Sequence, residues 1–203
     1  MPAIGITGGI STGKTTFCEC LRELLPTAKF FNADEAAHVL LEAPEVKLAI
    51  GAEFGSHVFS MDGDLNRAHV RAIIFDDAAK KRALERILHP RIRRRWRTQA
   101  KRYRNSPDFF FADIPLLYET GGETLCDRVA VVGCSEKVQL ARLKKRMSIT
   151  AAEAKRMIQS QMPLKEKITR ADHVIWNNGD RTAVIEQARF LVASWQGQAW
   201  TIK

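Results

Sequence analysis

Gly8-Gly9-Ile10-Ser11-Thr12-Gly13-Lys14-Thr15 is the stretch from which the rest of the chain is read. It fits G-x-x-x-x-G-K-[ST] and follows directly on an apolar run, Ala3-Ile4-Gly5-Ile6-Thr7. Behind it, Thr16 to Leu25 reads as a helix with Phe17, Leu21, Leu24 and Leu25 on one side. Strand, glycine-rich turn and helix, in that order, form the setting in which such a loop cradles phosphates. The glycines let the backbone bend until successive N–H groups point inward at phosphate oxygens. The helix N-terminus adds partial positive charge at the same place. Lys14 can then reach the β- and γ-phosphates, and the Thr15 hydroxyl can ligate Mg2+. The stretch predicts a nucleoside triphosphate site.

Outward from the loop, apolar runs alternate with helical patterns. Lys29-Phe30-Phe31-Asn32 is a second strand, ending at Ala33-Asp34. Residues 35–50 read as helical with a break at Pro44, residues 51–59 as a loop or broken helix, and Met61-Asp62-Gly63-Asp64 as a turn. Helices follow over about 66–75 and 77–88; His89-Pro90 then interrupts the pattern, and Pro90 opens a new helix to Tyr103. Phe109 to Asp113 is a strand buried on both faces, and Arg128 to Gly133 is a fourth. A helix over 136–147 is followed by Thr150-Ala151-Ala152-Glu153, a capping box opening a helix that Pro163 ends. Asp172 to Trp176 is the fifth strand, Asn177-Asn178-Gly179 its turn, and 181–195 the last helix. The expectation is an α/β fold: a doubly wound, five-stranded parallel sheet with ligands at the carboxyl ends of its strands. The helical residues 35–104, far more than one crossover needs, form an inserted subdomain.

The 203 residues suffice for one α/β core with a small appendage. No apolar run approaches the roughly 20 residues that cross a membrane, and a first strand starting at once leaves no room for a signal peptide. Cys18, Cys20, Cys126 and Cys134 form no C-x-x-C pair, so they read as structural thiols of a cytoplasmic protein. The net charge of +9 is concentrated: Lys80 to Arg104 holds twelve Lys or Arg against Glu85 alone, or +11, leaving −2 for the rest. One face is strongly cationic and suits an anionic partner.

Two carboxylates, Asp34 and Asp113, end buried strands on the side where the loop opens. In phosphoryl transfer the protein positions groups and neutralises charge. One carboxylate can take or orient the acceptor's proton, and the other can hold Mg2+ through water. Which does which stays open, and a strand-end cap is the plain alternative for either. Arg142 and Arg146, four apart, share a face of the helix after the fourth strand, and Arg156 lies on the next. This basic helix–turn–helix could close over the phosphates.

The loop with its flanks, Ile6 to Thr16, resembles the opening of dephospho-CoA kinases. So do Asn32-Ala33-Asp34, Asp62 to Arg67, His89-Pro90-Arg91-Ile92-Arg93 and Asp113-Ile114-Pro115-Leu116-Leu117-Tyr118-Glu119. Cys126-Asp127-Arg128-Val129, Gln161-Met162-Pro163 and Ala171 to Asn177 complete the series in the family's order. The loop alone marks only the P-loop kinase superfamily; the His-Pro and Asp-x-Pro-Leu-Leu-x-Glu elements together are specific. The resemblance implies a phosphotransferase with an alcohol acceptor, moving phosphate from ATP to the ribose 3′-hydroxyl of dephospho-CoA with Mg2+, the last step of coenzyme A synthesis. It implies a nucleotide-binding core (1–34, 105–140, 166–203), a CoA-substrate subdomain (35–104) and a lid (141–165). It makes Asp34, Lys14 and Arg142 catalytic. Gly9, Ile10, Ser11, Thr12, Gly13, Lys14, Thr15, Thr16, Arg146 and Asn177 become the ATP contacts. Asp34, His89, Arg93, Asp113, Pro115 and Leu116 become the acceptor contacts, with Mg2+ on Thr15 and, through water, on Asp34 or Asp113. ATP and dephospho-CoA are then the partners, with no nucleic acid, membrane or obligate protein.

The sequence departs from the family pattern in places. Ser11-Thr12 stands where Gly-Ser is usual, Asn32 replaces a frequent Asp, and Met147 follows Arg146 where Asp is common. Arg91 to Arg97 is also unusually basic. Another small P-loop kinase, for a nucleoside, nucleotide or shikimate-like acceptor, is the nearest rival; the long helical insertion argues against it. A nucleic-acid-binding ATPase would explain the basic segment, but only Trp96 and Tyr103 interleave it with aromatic rings.

Overall fold

Phe110, Phe111 and Ala112 are apolar without alternation, and the strand they form is buried at every position. In the computed structural model, which describes residues 3–103 and 105–197, this is the third of five strands: β1 Ala3–Gly8, β2 Lys29–Asn32, β3 Phe110–Asp113, β4 Arg128–Gly133 and β5 His173–Trp176. Their order is β2-β3-β1-β4-β5. β1 runs parallel to both β3 and β4, and β4 parallel to β5. The helices are α1 Lys14–Leu24, α2 Ala33–Leu41, α3 Pro44–Phe54, α4 Arg67–Asp76, α5 Ala78–Tyr103, α6 Glu136–Met147, α7 Ala151–Gln159, α8 Leu164–Thr169 and α9 Arg181–Gln196. A central β1 whose neighbours come later in the chain makes its carboxyl end the place where the strand order reverses, and ligands of open α/β sheets bind there.

The described residues divide into two units, Asn32–Thr98 and the remainder. In the sheet-bearing unit, Ile4, Ile6, Phe111 and Val132 meet Phe17 and Leu21 of α1 and Val184, Ala188 and Trp195 of α9. These residues lie on the faces that the apolar spacing marks, so burial and local pattern agree. The helical unit has its own core of Leu40, Val46, Ile50, Phe54, Val58, Leu65, Val70 and Leu88. Asn32 caps α2 by accepting from the N–H groups of Asp34 (2.8 Å) and Glu35 (3.1 Å). An uncharged amide serves this purpose as well as a carboxylate does.

Two expectations fail at prolines. The interruption at His89-Pro90 is absent: α5 is continuous and Pro90 lies inside it. An interior proline costs about 3 kcal/mol through its missing N–H and its ring. Here Arg86, whose carbonyl loses its helical donor, is exposed, as is Pro90 itself, so the freed carbonyl can meet water. The buried Leu88 and Trp96 hold the turns on either side, and the Arg91 guanidinium donates to the Ile87 carbonyl at 2.6 Å. Pro163, in turn, does not end the helix opened at Thr150. That helix stops at Gln159, and Pro163 is the N-cap of a further short helix, α8. The capping box itself is formed, with Thr150 N–H donating to Glu153 at 2.8 Å and Glu153 N–H donating back to the Thr150 hydroxyl at 3.3 Å.

At β5, Trp195 Nε1–H donates to His173 Nε2 at 3.1 Å. Burial, seconded by Arg128 and opposed by the Asp172 charge, holds the imidazole's pKa below its ordinary 6.5. Protonation would turn the accepting nitrogen into a second donor facing the indole. A depressed folded pKa contributes stability that is whole above the unfolded value and is lost as pH falls through the folded one. The thermal midpoint should therefore decline as pH drops below about 6.5. In His173→Gln, whose amide oxygen can accept the same bond without titrating, the decline between pH 7 and 5 should be shallower. Parallel profiles would refute this assignment.

Candidate active site

The loop between β1 and α1 owes its shape to two glycines that nothing larger can replace. Gly13 has φ +96°, and a Cβ there would sit 1.9 Å from Asn177 Nδ2. A Cβ on Gly8 would meet the Val132 carbonyl oxygen at 2.4 Å. Gly13 occupies the N-cap of α1, and neither a side-chain cap nor a first-turn acid satisfies the helix's leading N–H groups. A helix start of this kind presents free donors and partial positive charge to an anion. Ser11 also lies in the left-handed region, at φ 59°, uncommon for a residue with a Cβ. Its hydroxyl oxygen is buried without a hydrogen-bond partner.

Lys14, Thr15 and Thr16 make the first turn of α1. β1 and β3 pair so that Ile6 stands beside Asp113, which places the Asp113 carboxylate alongside the loop. Lys14 Nζ forms an ion pair with Asp113 Oδ1, both side chains being largely buried. Behind them is Cys18, whose thiol is pushed up to about 12, by burial first and then by the Asp113 charge. It stays protonated and unreactive. Thr15, by contrast, is exposed.

Side chains from the far half of the chain hold the loop from outside. Thr12 is fully buried, and its hydroxyl donates to the Gly9 carbonyl at 2.8 Å. The buried Asn177 amide donates to the Thr12 carbonyl at 2.9 Å. Arg142 of α6 donates to the Asn177 carbonyl at 2.9 Å and, at 3.4–3.5 Å, to the Thr12 and Gly179 carbonyls and the Asn177 side chain. Gln139, one turn earlier, donates to the Ile10 carbonyl at 2.8 Å, while Gln161 accepts the Ile10 N–H at 2.9 Å. Arg142 and Asn177 thus grip the loop's backbone. Gln139 and Gln161 do the same, and no local pattern in the sequence marks either as a loop contact, since their partner Ile10 lies more than a hundred residues away.

Pro115 and Leu116 are half-buried beside this cluster, with the Pro115 carbonyl accepting from the Thr7 hydroxyl at 2.9 Å. Arg146 is exposed on the last turn of α6 and makes no ion pair among the described residues. Asp34, His89 and Arg93 belong to the helical unit. Asp34 is exposed on the first turn of α2, His89 is half-buried in α5, and Arg93 is exposed on the same helix.

Comparison with known proteins decides what kind of enzyme this loop serves. The family model described as dephospho-CoA kinase matches residues 2–183. The chain belongs to the dephospho-CoA kinase family. A dephospho-CoA kinase of Geobacillus kaustophilus is 37% identical over 195 residues, covering 95% of this chain and 96% of the relative. Among solved structures, TT1252 from Thermus thermophilus superposes with a TM-score of 0.79 at 28% identity, covering 97% of this chain and 98% of that one. A Campylobacter jejuni dephospho-CoA kinase gives 0.72 at 26%, covering 95% and 96%. The dephospho-CoA kinase family is one of phosphotransferases with ATP as co-substrate, and the sheet, its order and the loop are those of a P-loop kinase.

Proposed function

We propose that this kinase transfers the γ-phosphate of ATP to the ribose 3′-hydroxyl of dephospho-CoA. The observation that carries the reading is the Gly8–Thr15 loop, built on an uncapped helix start with the Lys14–Asp113 pair beside it, in a chain of this family. The loop's N–H groups and Lys14 bind the β- and γ-phosphates and offset the charge that develops on them. Arg142, Asn177, Gln139 and Gln161 keep those donors in place, so that Arg142 acts on the nucleotide through the loop's backbone. Arg146, on the exposed end of α6, is free to meet the phosphates directly.

The donor chemistry at the loop suits Mg2+. An exposed Thr15 hydroxyl and the Asp113 carboxylate are hard oxygen ligands. Among the described residues no group of three or more His, Cys, Asp or Glu forms an all-protein metal cage. Mg2+ takes few protein ligands and completes its shell with phosphate oxygens and water. Bound there, it would offset charge on the β- and γ-phosphates. Asp34 is proposed as the group that accepts or orients the 3′-hydroxyl proton. His89 and Arg93, in the helical residues 35–104, are proposed for the acceptor, and residues 141–165 for the lid. The strongly basic α5 suits the acceptor's pyrophosphate. Four free, buried cysteines suit the reducing cytoplasm, and no helix among the described residues is long and apolar enough to cross a membrane.

The test compares kcat/KM for dephospho-CoA, AMP and adenosine with ATP as donor, and locates the new phosphate by phosphorus NMR. Dephospho-CoA carries a pyrophosphate and a pantetheine arm whose contacts can orient the ribose, so truncated acceptors should lose kcat as well as affinity. Equal efficiency with AMP, or a phosphate anywhere but the 3′ position, would overturn the reading.

A further inference from the structure

Lysine is almost never fully buried without a partner, and Lys167 on α8 has no exposed surface at all. Its ammonium has three N–H donors, and three acceptors surround it. They are the Gly8 carbonyl at 3.3 Å, the Pro115 carbonyl at 3.0 Å and Glu119 Oε1 at 2.7 Å. Gly8 ends β1 and begins the phosphate loop. Pro115 lies two residues past Asp113. A single cation is therefore bonded to both backbone segments whose side chains meet in the Lys14–Asp113 pair. Glu119 Oε1 also accepts the Met162 N–H at 3.0 Å, and the preceding residue, Gln161, holds Ile10. The connection between α7 and α8 is thus fastened to the loop directly and, through Glu119 and Lys167, to the strand ends beneath it.

A cation sealed from solvent cannot touch nucleotide or acceptor, so any part it takes in the reaction is indirect. Stability alone gives little reason for it, since well-packed apolar residues often replace a buried ion pair at no loss. What an ammonium supplies and a methyl thioether does not is three directed bonds, and these fix the spacing of the atoms they join. We propose that Lys167 and Glu119 are a positioning pair for phosphoryl transfer. They set the phosphate loop and Asp113 at working distance and tie the segment after α7 to both. The proposal rests on the phosphate-loop reading given above. Misplacing reacting groups by about 1 Å can cost on the order of 10²-fold in rate, so a loosened pair should show mainly in kcat.

The test is the double variant Lys167→Met/Glu119→Gln, which removes both charges and keeps the volume. Its thermal midpoint should stay within about 4 °C of the parent, equivalent to one or two kcal/mol in a chain of this size. Its kcat should fall at least about tenfold with KM for ATP within threefold, and amides of the segment containing Gly8–Gly13 should exchange faster with solvent deuterium. A kcat within twofold of the parent at normal midpoint, or unchanged loop exchange, would overturn the proposal. Should the double variant not fold, Glu119→Ala decides, because it removes the oxygen that accepts from both Lys167 and the Met162 N–H and leaves the ammonium its two backbone carbonyls. A threefold or larger loss of kcat at unchanged KM for ATP supports the pair, and an unchanged kcat sinks it. If the parent itself fails to phosphorylate dephospho-CoA, the function reading falls, and the exchange comparison still decides whether the pair holds the loop.

Discussion

Replacing Lys14 with alanine is expected to lower kcat by about 10²–10³ or more, the loss typical of removing one charge-stabilising group from a transition state. The same change should also cost stability, which a lysine projecting freely into solvent would not show. Lys14 is ion-paired with Asp113, and their side chains are 14% and 6% exposed. Truncating one partner leaves the other carboxylate buried without that cation, at a cost on the order of 3 kcal/mol, or roughly 6–12 °C of midpoint for a chain this long. The two effects separate in Lys14→Ala/Asp113→Asn. With the carboxylate's charge gone the midpoint should recover, while turnover stays low. Saturating ATP with Mg2+ should raise the parent's midpoint by mass action and raise the single variant's much less. Near-normal kcat in Lys14→Ala would remove the phosphate-loop assignment altogether.

How far such residues can be read from sequence depends on where their partners lie. The loop was legible because its demands are local. Gly13 must reach φ +96°, α1 must start where the loop ends, and an apolar strand must precede both. β3 was legible for a similar reason, since the short run Phe109 to Ala112, with no polar position before Asp113, has only a buried sheet to occupy. The side chains that hold the loop were not. Gln139, Gln161 and Lys167 bond to Ile10 and Gly8 across 129, 151 and 159 residues. Nothing in Leu164-Lys165-Glu166-Lys167 says that the second lysine is sealed and the first exposed. Arg142 was legible as a cation near the phosphates but not as a group already committed to several carbonyls. At Pro90 the local rule was sound, but tertiary packing on both sides overrode it, as packing routinely overrides propensity.

Asp34→Asn should leave the fold intact and cut kcat by about 10² or more, the lower end for loss of a positioned base. The expectation of an intact fold follows from the cap. It is the Asp34 N–H that donates to Asn32 Oδ1, and asparagine keeps that N–H. The carboxylate itself is exposed on the first turn of α2, with no salt bridge among the described residues to lose. Asn32 matters here as well. Because an amide caps the helix, Asp34 is the only carboxylate of Asn32-Ala33-Asp34, and no neighbouring acid two residues away can take over the proton. ATP affinity should stay within a few-fold, since a base acts on the acceptor and not on the donor's phosphates. Steady-state kinetics with ATP and dephospho-CoA varied in turn distinguishes the possibilities. A fall in kcat at constant ATP affinity fits a base or an orienting group. If ATP affinity collapses while kcat survives, Asp34 serves the metal, and Asp113, already beside Lys14 at the end of β3, becomes the better candidate for the base.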